Sequence, residues 1–244
     1  MDEIRVLVGR IFTCTVLFFF GLTTCLTAQN SPKIYKLEGS DEASKIIPFD
    51  ERFQFDKFKK GTVYLITGGR SEAMLNYSYL YNEAQFLGPK NDTLLINEKD
   101  QIRYLSIGEN IYYYDNDFGY VEVVSDQNGV KIGRKRGLVT LGSDKYIGYG
   151  QYVGTAASVN YKSFVSPNGQ MTKLDKKTSV ILTSRVSYFL IDKNNRFYPA
   201  KKSSLVKIYS KFRGEVTSYL NKNNFDYDNE ADLQKAIAFC SELD

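Results

Sequence analysis

Tyr77, Tyr79 and Tyr81 occupy every second position of the stretch "LNYSYLYNEAQFLGPKNDTLLIN", residues 75–97. Rings at that spacing stand on one face of a strand. An exposed row of this kind would stack sugar rings or a peptide, and Tyr112 and Tyr114 of "NIYYYD" would extend it. Turned inward, the same row is one face of a core, with Asn76 and Ser78 on the opposite face towards water. Burial is the expected arrangement, because contiguous exposed apolar rows are rare on soluble proteins. If the row is wet, these five tyrosines are the candidate ligand-binding residues.

Other chemistries find little support. The chain contains no histidine, so it lacks the commonest general base, the usual partner of a catalytic Ser or Cys, and the commonest zinc ligand. Ser-Lys pairs occur in "SSLVK" and "SDK", as chance alone supplies in a chain rich in both residues. Two carboxylates at suitable separation would hydrolyse a glycosidic bond, but the many acids are not ranked by sequence, and Asp115 and Asp117 read as solvated turn residues. "DYDNEAD" (226–232) resembles a calcium loop until its sixth and twelfth places, where Ala231 and Ile237 stand instead of Gly and Glu. Neither a phosphate-binding glycine loop nor a dinucleotide fingerprint is present. No catalytic residue, metal ligand or cofactor is assigned.

The elements that would position such residues are mainly strands. "TVYLIT" (62–67), Gly68-Gly69 and "EAMLNYSYLY" (72–81) form a hairpin pattern. "EAQFL" (83–87), "TLLIN" (93–97), "NIYYYD" (110–115), "GYVEVV" (119–124), "VKIG" (130–133), "SVILTS" (179–184) and "VSYFLID" (186–192) continue the series. The expected fold is mainly β, an antiparallel meander, sandwich or partly open barrel over residues 29–200. Residues 142–169, rich in Gly, Ser, Tyr and Asn, read as a long loop, with an irregular edge strand as the alternative within it. "GRKRG" (133–137), a basic cluster between two glycines, reads as an exposed hairpin tip.

Residues 201–244 change to helical spacing. Leu205, Ile208, Phe212, Val216 and Tyr219 share one face, with Ser203 or Ser204 as cap and Asn221 to Asn224 as stop. A second helix starts near Asn229, with Leu233, Ala236, Ile237, Cys240 and Leu243 as its apolar stripe. Packing of both helices on the β-domain is expected.

The N-terminus reads as a secretory signal over residues 1–28. Arg5 and Arg10 precede an apolar run from Ile11 to Leu26, and cleavage is expected between Ala28 and Gln29. "LTTC" offers a lipoprotein alternative at Cys25, disfavoured by Thr24 before the cysteine. After cleavage Cys240 is the one remaining cysteine, so the exported fold rests on packing rather than on an internal disulfide. The net charge of +4 is mild and interspersed with acids, which argues against nucleic acid as the main partner.

Three segments carry a likeness: "GTVYLITGGRSEAMLNYSYLYNEAQFLGPKNDTLLIN", "IYYYDNDFGYVEVV" and "FYPAKKSSLVKIYSKFRGEVTSYLNKNNFDYDNEADLQKAIAFCSEL". Their hydrophobic pattern resembles a group of uncharacterised exported proteins of Bacteroidetes-type bacteria. The resemblance implies export and a β-domain with a helical tail, and brings no catalytic motif with it. The function expected is a non-catalytic envelope module, periplasmic or surface-exposed, that binds a protein or glycan partner through its β-domain. A carboxylate-dependent glycan hydrolase and a structural subunit docking through its C-terminal helices are the alternatives. No transmembrane segment is expected after removal of the signal.

Overall fold

The computed structural model describes residues 33–38, 42–148, 151–156 and 178–243. The signal, with Cys25, Ala28 and Gln29, lies outside the described residues. Residues Lys33–Asp244 form one compact unit.

Its frame is a single open antiparallel sheet. The strands are β1 (Ile34–Glu38), β2 (Lys59–Leu65), β3 (Arg70–Ser78), β4 (Glu83–Leu87), β5 (Thr93–Leu95), β6 (Ile102–Ile107), β7 (Asn110–Asp115), β8 (Gly119–Gln127), β9 (Val130–Gly148), β10 (Gln151–Ala156), β11 (Thr178–Ile191) and β12 (Phe197–Pro199). They lie in the order β1-β11-β9-β8-β7-β6-β2-β3-β4-β5, with β10 on β9 and β12 on β11. Tight turns set most of these pairings. Asn128 and Gly129 both have positive φ between β8 and β9, the conformation that joins twisted strands in two residues. Asp126 Oδ1 accepts from the Gly129 amide at 3.0 Å and closes that turn.

Beyond its ladder the sheet curls. The Tyr79 carbonyl, just past β3, accepts from the Leu138 amide of β9 at 2.8 Å. The concave side buries Leu75, Tyr77, Leu105, Ile107, Tyr112 and Leu182 in one cluster. Two short helices, α1 (Ala43–Ile46) and α2 (Phe49–Arg52), add Ala43 and Ile47 to it or to its edge.

The tail forms three helices, α3 (Lys202–Ile208), α4 (Arg213–Lys222) and α5 (Glu230–Leu243). The first expected helix is broken at Tyr209, whose ψ of 43° leaves the helical region, and a 3-10 turn Ser210–Phe212 joins the halves. Lys201, rather than Ser203 or Ser204, holds the cap position. Asn229 does cap the last helix: its Oδ1 accepts from the Ala231 and Asp232 amides at 2.9 and 3.2 Å. Leu233, Ala236, Ile237 and Cys240 are buried with Val130, Ile132 and Leu190 from the sheet. Burial pushes the Cys240 thiol up to about 11, so this cysteine is an inert core residue.

An ion network joins sheet and tail. Buried Glu122 accepts from Arg134 Nε and Nη2 at 3.2 and 3.1 Å and from Gln54 Nε2 at 3.1 Å. Arg134 Nη1 continues to Glu230 at the start of α5, at 3.4 Å.

Three sequence expectations are corrected. Residues 142–148 and 151–156, expected in a loop with at most an irregular edge strand, belong to the paired strands β9 and β10, while 149–150 and 157–169 lie outside the described residues. Their Gly-Ser-Tyr composition hides the pairing, because the backbone of β9 is satisfied by β11 and β10 whatever the side chains. "GRKRG" is mid-strand, with Gly133 and Gly137 opposite Phe189 and Arg185. Both glycines serve close approach: a Cβ would come within 2.4 Å of Val121 Cγ1 at Gly133 and 1.8 Å of Asn82 Oδ1 at Gly137. Asn76 and Ser78 do not face water. Asn76 is buried and bonds both the N–H and the C=O of Phe55, because the segment after α2 covers that face of β3.

Among the described residues no helix is long and apolar enough to cross a membrane.

Candidate functional site

The five candidate tyrosines divide into two groups. Tyr77 and Tyr112 are 3% and 1% exposed and stack on each other with centroids 5.6 Å apart and planes 16° off parallel. Tyr79 is also buried, and the Arg136 guanidinium covers its ring at 4.7 Å. Their faces are therefore already occupied by protein, and an exposed row of three along β3 does not exist. The strand itself ends at Ser78. Tyr81 falls in the turn that follows, and Tyr114 near the end of β7; both are half-buried.

These two line a cleft of about 450 Å³. One wall is the β3–β4 turn, Tyr81 to Glu83. Another is the segment Asn97 to Asp100 before β6. The third is the β7–β8 turn, Asn116 to Gly119, and Lys135 of β9 forms the floor. Each wall has a local cause. Asn82 adopts a left-handed conformation, which asparagine tolerates, and its side chain rests against Gly137. Asp115 Oδ1 accepts from the amides of Asp117 and Phe118 at 2.9 and 3.0 Å, which folds the β7–β8 turn back on itself and leaves Asn116 and Asp117 exposed at its tip.

The charges at the floor are coupled. Lys99 Nζ pairs with Glu83 Oε1 at 2.5 Å, and Lys135 Nζ donates to the Phe118 carbonyl at 2.5 Å. Burial raises the Glu83 carboxyl, against the pull of Lys99. Burial lowers the Lys135 ammonium to about 8; Glu83 opposes that shift and Lys99 adds to it. Glu83 Oε2 is buried without a hydrogen-bond partner, as are the hydroxyls of Tyr77 and Tyr120. The charge of Glu83 adds to burial in holding both phenols protonated. The cleft thus has a charged floor and, behind it, an interior of tyrosine hydroxyls.

Among the described residues no three His, Cys, Asp or Glu side chains gather to hold a metal ion. What the cleft presents is three rings, Tyr81, Tyr114 and Phe118, beside the amides of Asn82, Asn97 and Asn116 and the carboxylates of Glu98, Asp100 and Asp117. Sequence reasoning reached two of these residues, Tyr81 and Tyr114, through the tyrosine alternation. It missed Glu83, Lys99 and Lys135, which come from three separate strands or turns with no shared motif. The exposed "DNDF" turn was the available signal for the third wall.

Comparison with known protein families, with curated proteins and with solved structures finds no match to this chain.

Proposed function

We propose that the protein is an exported cell-envelope binding module that holds a neutral glycan in the cleft between the β3–β4 and β7–β8 turns. The observation that carries this is the pairing of Tyr81, Tyr114 and Phe118 with Asn82, Asn97, Asn116 and Asp117 around one open cleft. A pyranose has an apolar C–H face and a rim of hydroxyls. Rings match the first, and amides and carboxylates match the second. Four acids, Glu83, Glu98, Asp100 and Asp117, stand against two lysines in the lining, which disfavours an acidic glycan. Export rests on the basic and apolar run of residues 5–26 and the small Ala28 before Gln29.

Calorimetric titration with neutral tri- and tetrasaccharides of different linkage tests the reading. At least one should bind, and Tyr81→Ala or Asn116→Ala should each weaken it by about fivefold or more, the worth of about 1 kcal/mol. Absence of binding across the series, or unchanged affinity in both variants, would overturn it.

One observation favours a second reading, carboxylate-dependent glycan hydrolysis. Burial raises the Glu83 carboxyl, the property a general acid requires, and Asp100 and Asp117 share its cleft. New reducing ends released by the wild-type protein and not by Glu83→Gln would favour hydrolysis over binding alone.

A further inference from the structure

A second pocket of about 400 Å³ shares Tyr81 with the polar cleft and is otherwise built from different residues. Phe49, Arg52 and Phe53 of α2 and its end line it, with Phe58, Gln85 of β4 and Leu95 of β5. Phe49 and Phe53 stack with centroids 4.6 Å apart, and Phe58 tilts against Phe53 at 5.6 Å. Phe49 is 38% exposed, so the aromatic cluster opens to the surface.

Ser44, Tyr81 and Thr93 add hydroxyls to this lining, and two further polar groups, Gln85 and Arg52, carry atoms with no hydrogen-bond partner among the described residues. Gln85 is only 5% exposed, and its Oε1 is buried with no hydrogen bond. An unpartnered buried acceptor costs about 1–3 kcal/mol and is rare enough to need a cause. The Arg52 guanidinium lies over the Phe49 and Phe53 rings, 5.8 and 5.6 Å from their centroids. Its Nε donates to the Ile47 carbonyl at 2.9 Å. That bond fixes the plane of the fork and leaves its two terminal nitrogens without a hydrogen bond to any described residue. Finally, β5 is the last strand of the sheet order and pairs only with β4 among the described residues. Its outer edge therefore offers backbone donors and acceptors beside the pocket.

We propose that this pocket receives the C-terminal residue of an extended peptide that ends in an aromatic or large aliphatic side chain. The side chain enters between Phe49, Phe53 and Phe58. The terminal carboxylate takes the bidentate fork of Arg52, and a backbone N–H of the peptide donates to Gln85 Oε1. The preceding residues run along the free edge of β5. A fatty acid would satisfy the rings and the guanidinium but has no donor for Gln85. A free amino acid would leave the strand edge unused. The peptide answers all three features at once. The assignment is independent of the glycan reading, whose cleft shares only Tyr81 with this pocket and uses different polar groups.

The test is fluorescence anisotropy with dye-labelled Ala-Ala-Ala-Ala-Phe, as the free acid and as the C-terminal amide. The free acid should bind saturably, and amidation should weaken it by about tenfold or more, since the charge-assisted fork is lost. Arg52→Lys should reproduce the loss for the free acid and leave the amide unaffected. Gln85→Leu, which removes the unpartnered acceptor without opening a cavity, should weaken binding while the melting temperature holds or rises. Equal affinity for acid and amide would overturn the proposal. So would no saturable binding of the free acid, or decanoate displacing the peptide at equal concentration. The acid–amide comparison uses only the unmodified protein, so a variant that fails to fold cannot obscure it.

Discussion

Tyr77 and Tyr81 lie four residues apart on one connected stretch, and Tyr112 and Tyr114 share one strand, yet each pair is split between two environments. Tyr77 and Tyr112 stack inside the curl of the sheet. Tyr81 and Tyr114 stand at the lip of the polar cleft, beside exposed asparagines and a coupled Glu-Lys floor. The difference comes from where strands end. β3 ends at Ser78 and Tyr79 just past it is still buried; the turn that follows then carries Tyr81 out of the core. Interior tyrosines fill the curl, and the ones at the lip stand on the surface beside it.

The sharpest way to break that division is to cut into each side of it. Tyr112→Ala should cost about 3–5 kcal/mol in urea unfolding, because it removes a fully buried ring and its stacked contact. Tyr114→Ala should cost about 1–2 kcal/mol, since its ring is only partly buried. Equal costs would show that the two tyrosines share one environment. The ion network is next. Glu122→Ala removes the carboxylate that Arg134, Asn110 and Gln54 all address. A loss of about 2 kcal/mol is expected, less than for a wholly buried pair because Arg134 reaches solvent. The loss should appear as earlier exposure of the C-terminal helices in hydrogen exchange, since Arg134 also holds Glu230.

The pH dependence separates the two regions by sign. The Lys135 ammonium titrates at about 8 in the folded protein and near its ordinary 10.5 when unfolded. Below pH 8 the folded state carries the full cost of that buried charge. Between pH 8 and 10.5 the folded protein has shed a proton that the unfolded chain still binds, so this group's contribution to stability rises. The interior phenols act oppositely. Burial holds Tyr77, Tyr112 and Tyr120 protonated well above their ordinary 10.0, while the unfolded chain loses those protons above pH 10, so stability falls there. Lys135→Met should abolish the rise from pH 8 and leave the fall above pH 10, as followed by denaturant midpoints across the range. Smallest of all is the effect of Tyr112→Phe. Its hydroxyl is buried without a partner, so deletion should leave stability within about 0.5 kcal/mol or raise it slightly.

Much of the frame was legible in the sequence because hydrophobic alternation and turn residues act locally. The strand at 83–87, the strand at 110–115 and the Asn229 cap all follow from neighbours within a few positions. What stayed hidden depends on distant pairing. β9 runs through Gly-rich sequence because β11 and β10 satisfy its backbone, and Gly133 and Gly137 are there to admit Val121 and Asn82. The candidate site was half legible for the same reason. Alternation pointed at Tyr81 and Tyr114, whereas Glu83, Lys99 and Lys135 meet only through the curl that brings β9 under the β3–β4 turn.

The most direct test of the division follows the tyrosines themselves. With ring-labelled tyrosine, the resonances of Tyr77, Tyr81, Tyr112 and Tyr114 would be assigned by single Tyr→Phe changes and tracked while neutral trisaccharides are titrated in. Saturable shifts at Tyr81 and Tyr114, with Tyr77 and Tyr112 unmoved, are the predicted result. Shifts that begin at Tyr77 or Tyr112, or no shift at Tyr81 and Tyr114 with any of the sugars, would contradict it.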